Sequence, residues 1–213
     1  MVDAAGLDAG SQTSTVTFQV LVAGAAGAGK SSVIRAALND IALVRADTDE
    51  EADGLRLQRA LYDLGGQLIV IEFVEFPADE RYLPVLASFG AGSACTVFAA
   101  HLADPSGVSD LEARAAALAG RPPHGVVIAC GAAGGPSERS RLAQLQDLAV
   151  RCSLEFTRCE SLEQLERTRL LRIFCDLVLR DTPDRGLAPS DPLHLLGTGA
   201  TRCPNIGSPT VAT

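Results

Sequence analysis

The chain has 213 residues, about the length of one domain, and 18 basic against 26 acidic side chains give it a net charge of −8. An acidic surface of this kind excludes non-specific nucleic-acid binding, which needs basic clusters to displace counterions, and it excludes a polybasic membrane anchor. Hydrophobic residues make up 47% and aromatics only 4%, with no Trp, so the core must be built from Leu, Val, Ile, Ala and a few Phe.

Residues 1–14 are small and polar and read as a disordered N-terminus. They carry no basic segment followed by an apolar one, so no signal peptide is expected. "TVTFQVLVAG" then reads as a buried strand rich in β-branched residues. A glycine-rich turn follows at 24–29, and "KSSVIRAALND" reads as a helix. "IALVRAD" suggests a short second strand, while the charged stretch 49–64 fits either a helix or a mobile loop. "QLIVIEFVEF" is a clear strand, "ADERYLPVLASFG" a short helical segment interrupted by Pro, and "ACTVFAAH" another buried strand.

Further on, Ser109 and Glu112 form a capping-box pattern at the start of "SDLEARAAALAG". "GVVIACG" is an apolar strand, and "SERSRLAQLQDLAV" places Leu142, Leu145, Leu148 and Ala149 on one helical face. "CSLEFTRC" reads as the last strand and "SLEQLERTRLLRIFCDLVLRD" as a final amphipathic helix. Strands alternating with helices predict an α/β domain over 15–181: a mainly parallel sheet covered on both faces. From Thr182 to 213 Pro and Gly are frequent, so a loop-like tail is expected, with one apolar patch at Leu193, Leu195 and Leu196.

Six cysteines (Cys95, Cys130, Cys152, Cys159, Cys175, Cys203) sit mostly in apolar runs without a CxxC pair, which reads as buried thiols of a reduced compartment. No apolar run approaches the roughly 18 residues of a membrane span. Residue 2 is Val rather than Gly, and the chain ends "TVAT", so neither lipidation pattern is met. His101, His124 and His194 are scattered, and His101, at a strand end, reads as structural.

The chemistry concentrates in one motif. Residues 24–31, "GAAGAGKS", match G-x-x-x-x-G-K-[ST] and lie between a strand and a helix, the context a P-loop requires. Gly24, Gly27 and Gly29 let the backbone wrap a phosphate with its N–H groups inward, and the helix N-terminus adds a favourable field. In that reading Lys30 reaches the β- and γ-phosphates, Ser31 ligates Mg²⁺ and Ser32 lies near the α-phosphate. Lys30 is also the only lysine among 18 basic residues. A composition this biased toward Arg keeps Lys where a compact point charge is needed.

With this motif in place, the chain resembles the Ras/Rab small-GTPase superfamily over roughly residues 15–181. The resemblance implies a P-loop three-layer fold. "EFPADERY" at 75–82 looks like the family's D-T-A-G-Q-E-R-Y, matching at Glu80, Arg81 and Tyr82. By that match Glu75 stands for the Mg²⁺-side Asp, Ala78 for the glycine that meets the γ-phosphate, and Asp79 for the glutamine that orients water. Asp is one methylene shorter, so hydrolysis should be slow or absent. Thr48 lies where a switch threonine completes the Mg²⁺ shell, or else is an exposed Thr among acids. The family's guanine-reading N-K-x-D is missing. Gly131, Ala132 and Gly134 take its places, and none has a side chain that can hydrogen-bond a base edge.

Within the degenerate members, "ACGAAGG", "LEFTRCESLEQL", "RTRLLRIFCDLVL" and "GLAPSDPLHLL" resemble the centromere protein M family. The chain departs from that family in keeping the P-loop. This resemblance implies a non-catalytic scaffold of the inner kinetochore in the nucleus, binding centromere proteins I, H and K. Leu193, Leu195 and Leu196 would then be either a partner contact or a tail folded on its own domain. Arg167, Arg169 and Arg172 read as a solvated face. The alternative is a divergent nucleotide switch taking GTP or ATP with Mg²⁺; another adaptor on the same fold is a third reading.

Overall fold

A computed structural model describes residues 15–39, 43–52, 54–64, 67–118 and 124–161. The expected disordered N-terminus, the last helix, and the tail with Leu193, Leu195 and Leu196 lie outside the described residues, as do Arg167, Arg169 and Arg172.

Strand β1 (Val16–Ala23) runs into the glycine turn and helix α1 (Lys30–Leu38). Then come β2 (Leu43–Ala52), β3 (Leu55–Leu64) and β4 (Gln67–Glu75). A 3-10 turn at Glu80–Tyr82 leads to α2 (Leu83–Gly90), followed by β5 (Cys95–His101), α3 (Gly107–Leu118), β6 (Gly125–Cys130), α4 (Pro136–Arg151) and β7 (Glu155–Cys159). The seven strands form one sheet in the order β2-β3-β4-β1-β5-β6-β7. Pairing is parallel from β4 through β7 and antiparallel among β2, β3 and β4. The protein is thus an α/β domain with a mostly parallel sheet, as the alternation of elements predicts.

Both faces of the sheet are apolar, which is why these strands read as continuous hydrophobic runs. Successive residues alternate between two cores. Val20, Val22, Ile69, Ile71, Phe73, Val97, Val126 and Ile128 pack with Val33, Ile34 and Ala37 of α1 on one face. Leu21, Ala23, Val74, Phe98, Val127 and Ala129 pack with Leu86, Leu111, Leu145 and Leu148 of α2, α3 and α4 on the other. Leu145, Leu148 and Ala149 are buried and Leu142 is half-buried, so α4 presents the expected face.

Two expectations are corrected. Residues 49–64 are neither helix nor loop: they hold the end of β2, a turn at Gly54 (φ 78°) and all of β3. Their charges mask a period of two. Leu55 and Leu57 pack on the second core, Ala60 and Tyr62 on the first, and Arg59 faces out to pair with Glu72 across the strands. The Tyr62 hydroxyl also donates to the Ala37 carbonyl at 3.1 Å, fixing the hairpin to α1. Nor do Ser109 and Glu112 cap α3, because that helix starts two residues earlier. Asp104 accepts from the Ser106 N–H and hydroxyl, Ser109 donates to the Ser106 carbonyl, and Glu112 pairs with Arg151 of α4. Cys95, Cys130 and Cys159 are buried thiols as expected, but Cys152, at the end of α4, is exposed.

Candidate functional site

The strand order reverses beside β1: the chain moves outward to β2, returns through β4, and then crosses β1 to continue from β5. In open α/β sheets the crevice at such a point, outside the carboxyl ends of the strands, is where ligands bind. The glycine turn stands there. Gly24, Gly27 and Gly29 all have positive φ (153°, 72° and 96°), a region L side chains rarely adopt. At Gly24 a Cβ would sit 2.2 Å from the Ala99 carbonyl oxygen of β5, so the turn hugs the sheet too closely for any side chain.

Lys30 opens α1 and is only 8% exposed. Its Nζ donates to the Gly24 carbonyl at 2.9 Å and the Ala25 carbonyl at 2.8 Å, leaving one N–H donor. Burial lowers its pKa below the ordinary 10.5; Glu75 opposes this, Arg114 adds to it, and Asp110 opposes it. Ser31 is next on the helix, and its hydroxyl donates to Glu75 Oε1 at 2.8 Å. The sheet makes this meeting possible, since Glu75 ends β4 in register with Val22 near the end of β1. The other carboxylate oxygen, Oε2, is buried and has no hydrogen-bond partner among the described residues. Ser32 is half-buried on the same first turn.

An orphaned buried carboxylate oxygen is costly, and a cation beside it removes the cost. The residues present therefore fit Mg²⁺. Among the described residues no group of three or more His, Cys, Asp or Glu side chains is placed to hold a metal. Magnesium does not need one, because it takes one or two protein ligands and completes its shell with phosphate and water. Thr48 lies in edge strand β2, which is separated from β4 by β3.

Arg114 is a site residue that sequence reasoning missed. It is the largest fully buried side chain among the described residues, at 1% exposure. From α3 it reaches back to Asp110 through Nε at 2.8 Å and NH2 at 2.9 Å. The same guanidinium donates to the carbonyls of Pro77 at 3.4 Å and Ala78 at 2.5 Å. It thereby clamps the segment following β4, which carries the residues matched to the second phosphate motif. An Asp four residues before an Arg in an otherwise Ala- and Leu-rich helix was the signal available for it. On the same segment Asp79 is exposed, caps the 3-10 turn through the Arg81 N–H, and accepts from the Arg81 guanidinium at 2.9 and 2.6 Å. Those hydrogen bonds from Arg81 hold its carboxyl below the usual range. A carboxylate so engaged is poorly placed to orient a water.

At the end of β6 the segment 131–135 has no polar side chain. Gly131 has φ 98°, and a Cβ there would meet the His101 ring at 3.1 Å; at Gly134 nothing lies within 4 Å.

Comparison with known proteins finds no family model that matches this chain and no matching curated protein.

Proposed function

We propose that this chain is a divergent P-loop protein on a small-GTPase-like fold. It grips the phosphates of GTP or ATP with Mg²⁺ and hydrolyses them slowly or not at all. The observation that carries this is the Ser31 hydroxyl on Glu75 at 2.8 Å, with the second Glu75 oxygen buried and, among the described residues, without a hydrogen-bond partner. In this reading loop 24–29 and Lys30 bind the β- and γ-phosphates, and Ser31 and Glu75 hold Mg²⁺, which neutralises phosphate charge. The bare 131–134 segment and the engaged Asp79 argue for weak base selection and weak hydrolysis. Titration with fluorescent GTP and ATP analogues plus Mg²⁺, repeated on Lys30→Ala, tests it. Micromolar binding abolished by the substitution is expected. No binding by a chain that circular dichroism reports as folded would overturn it.

A second reading is favoured by the clamp of Arg114 on Pro77 and Ala78. Side-chain contacts from within the protein hold that segment, as befits a scaffold that does not switch. This is the non-catalytic subunit of the inner kinetochore expected from the resemblance to centromere protein M, supporting chromosome segregation with centromere proteins I, H and K. Co-purification of those proteins with the tagged chain from nuclear extract supports it, and their absence sinks it.

A further inference from the structure

The crevice at the strand-order reversal has two walls. One is the glycine turn after β1. The other is the end of β5, where Ala99 contacts Gly24 and His101 follows two residues later. His101 is also in register with Cys130, at the end of β6. Strand β5 therefore ends between the glycine turn after β1 and the glycine segment after β6, where a base-reading side chain is missing. The position of the His101 ring is built. The imidazole lies against Gly131, whose lack of Cβ makes the room: an added Cβ would be 3.1 Å from Cε1 and 3.3 Å from Nε2. The Ala103 N–H donates to Nδ1 at 3.2 Å. An acceptor Nδ1 places the proton of the neutral ring on Nε2, which makes that atom a donor. The ring is half-buried, and among the described residues Nε2 has no protein partner.

We propose that His101 is the nucleoside-contacting residue of this site, its Nε2–H donating to an acceptor atom on the base of a bound nucleoside triphosphate. The inference rests on the phosphate-gripping reading of loop 24–31. It replaces side-chain reading from the β6 segment with a single donor from β5. One donor recognises that a base is present but separates guanine from adenine poorly, because both offer acceptors and no unpaired group penalises the wrong one.

The test compares inorganic tripolyphosphate, ATP and GTP, each with Mg²⁺, by calorimetry on the full chain, His101→Ala and His101→Gln. The wild type is expected to bind both nucleotides more tightly than tripolyphosphate, with ATP and GTP within a few-fold of each other. His101→Ala should lower nucleotide affinity about two- to ten-fold, the worth of one hydrogen bond, with tripolyphosphate affinity unchanged. His101→Gln, whose amide N–H reaches similarly, should restore most of the loss. A His101→Ala loss shared equally by tripolyphosphate makes the residue structural and overturns the inference, as does an unaltered nucleotide advantage. Tripolyphosphate binding with no nucleotide advantage in the wild type overturns it while leaving the phosphate grip standing. Binding of none of the three overturns the grip and this inference with it.

Discussion

The ends of β1 and β6 lie on the same edge of one sheet and are built in opposite ways. After β1 the backbone is forced through three positive-φ glycines against β5, and the side chains that follow are tied to fixed partners: Lys30 to two carbonyls, Ser31 to Glu75. After β6 only Gly131 is at positive φ, close against His101, and the chain then crosses a run of Gly and Ala with open space around Gly134. Glycine takes a positive φ without strain and other residues do not, so the first end is the more narrowly specified of the two. In the reading proposed above, the difference would let a phosphate grip be kept at one strand end while base selection is lost at another.

The largest expected effect breaks the comparison at its root. Gly24→Val puts a branched side chain where the Ala99 carbonyl already stands, and should cost about 5 kcal/mol or prevent folding. Gly27→Ala meets nothing within 4 Å but keeps φ at 72°, so it should cost about 1 kcal/mol from backbone strain alone. Gly134→Ala has neither problem and should fall within about 0.5 kcal/mol of wild type. Urea denaturation ranks the three. A loss at Gly134 as large as that at Gly24 would show the second end to be as tightly built as the first.

Next in size is thiol reactivity beneath the second end. Cys130 immediately precedes Gly131, and burial pushes its pKa from 9.0 to about 12, with Cys159 adding to the shift. Near pH 9 its thiolate fraction is on the order of hundreds-fold below that of an ordinary thiol, so iodoacetamide should modify exposed Cys152 and spare buried Cys130 and Cys95. The sign for stability follows. The folded state keeps this proton longer than the unfolded chain, so stability falls as pH rises above 9.0 toward 12. Peptide mapping after alkylation checks it, and rapid labelling of Cys130 would mean that the glycine segment opens.

Much of this was legible in the sequence, for reasons that differ by region. The parallel strands are buried on both faces, so they appear as unbroken apolar runs. The glycine turn at 24–31 matches the G-x-x-x-x-G-K-[ST] spacing, which is readable from sequence alone. The β2–β3 hairpin was hidden because the charged residues along β2 and β3 obscure the alternation of apolar positions. Nothing at Asp104 separated it from any loop Asp, so Ser109 took the capping role on pattern alone. The Ser31–Glu75 contact joins residues 44 apart in the chain. Glu75 emerged only through its motif match, and the buried Arg114 emerged not at all, because burial is set by the packing of α3 against the segment after β4.

Arg114 gives the next test. Arg114→Met fills similar volume but leaves Asp110 and the Pro77 and Ala78 carbonyls without their donor. It should cost about 3 kcal/mol, since removing one member of a buried pair strands the rest. Asp110 is 19% exposed, so water relieves part of that. If the clamp replaces a nucleotide in ordering this segment, amide hydrogen exchange at 78–80 should rise in Arg114→Met and fall again on adding nucleotide with Mg²⁺. Exchange that nucleotide leaves unchanged would favour the scaffold reading.

The smallest expected effect repairs the second end. Gly134 occupies the position of the guanine-pairing Asp in the family that the chain resembles, and nothing lies within 4 Å of a Cβ built there. Gly134→Asp therefore adds a carboxylate in open space with little effect on stability. An acceptor there favours the guanine N1–H and N2–H₂ donors and meets the acceptor N1 of adenine unfavourably, so it discriminates by repulsion as well as attraction. Without a neighbouring Asn and Lys to orient it, the gain should be only a few-fold in GTP over ATP affinity, measured by competition against one fluorescent analogue. An unchanged ratio would mean that a bound base does not reach the end of β6.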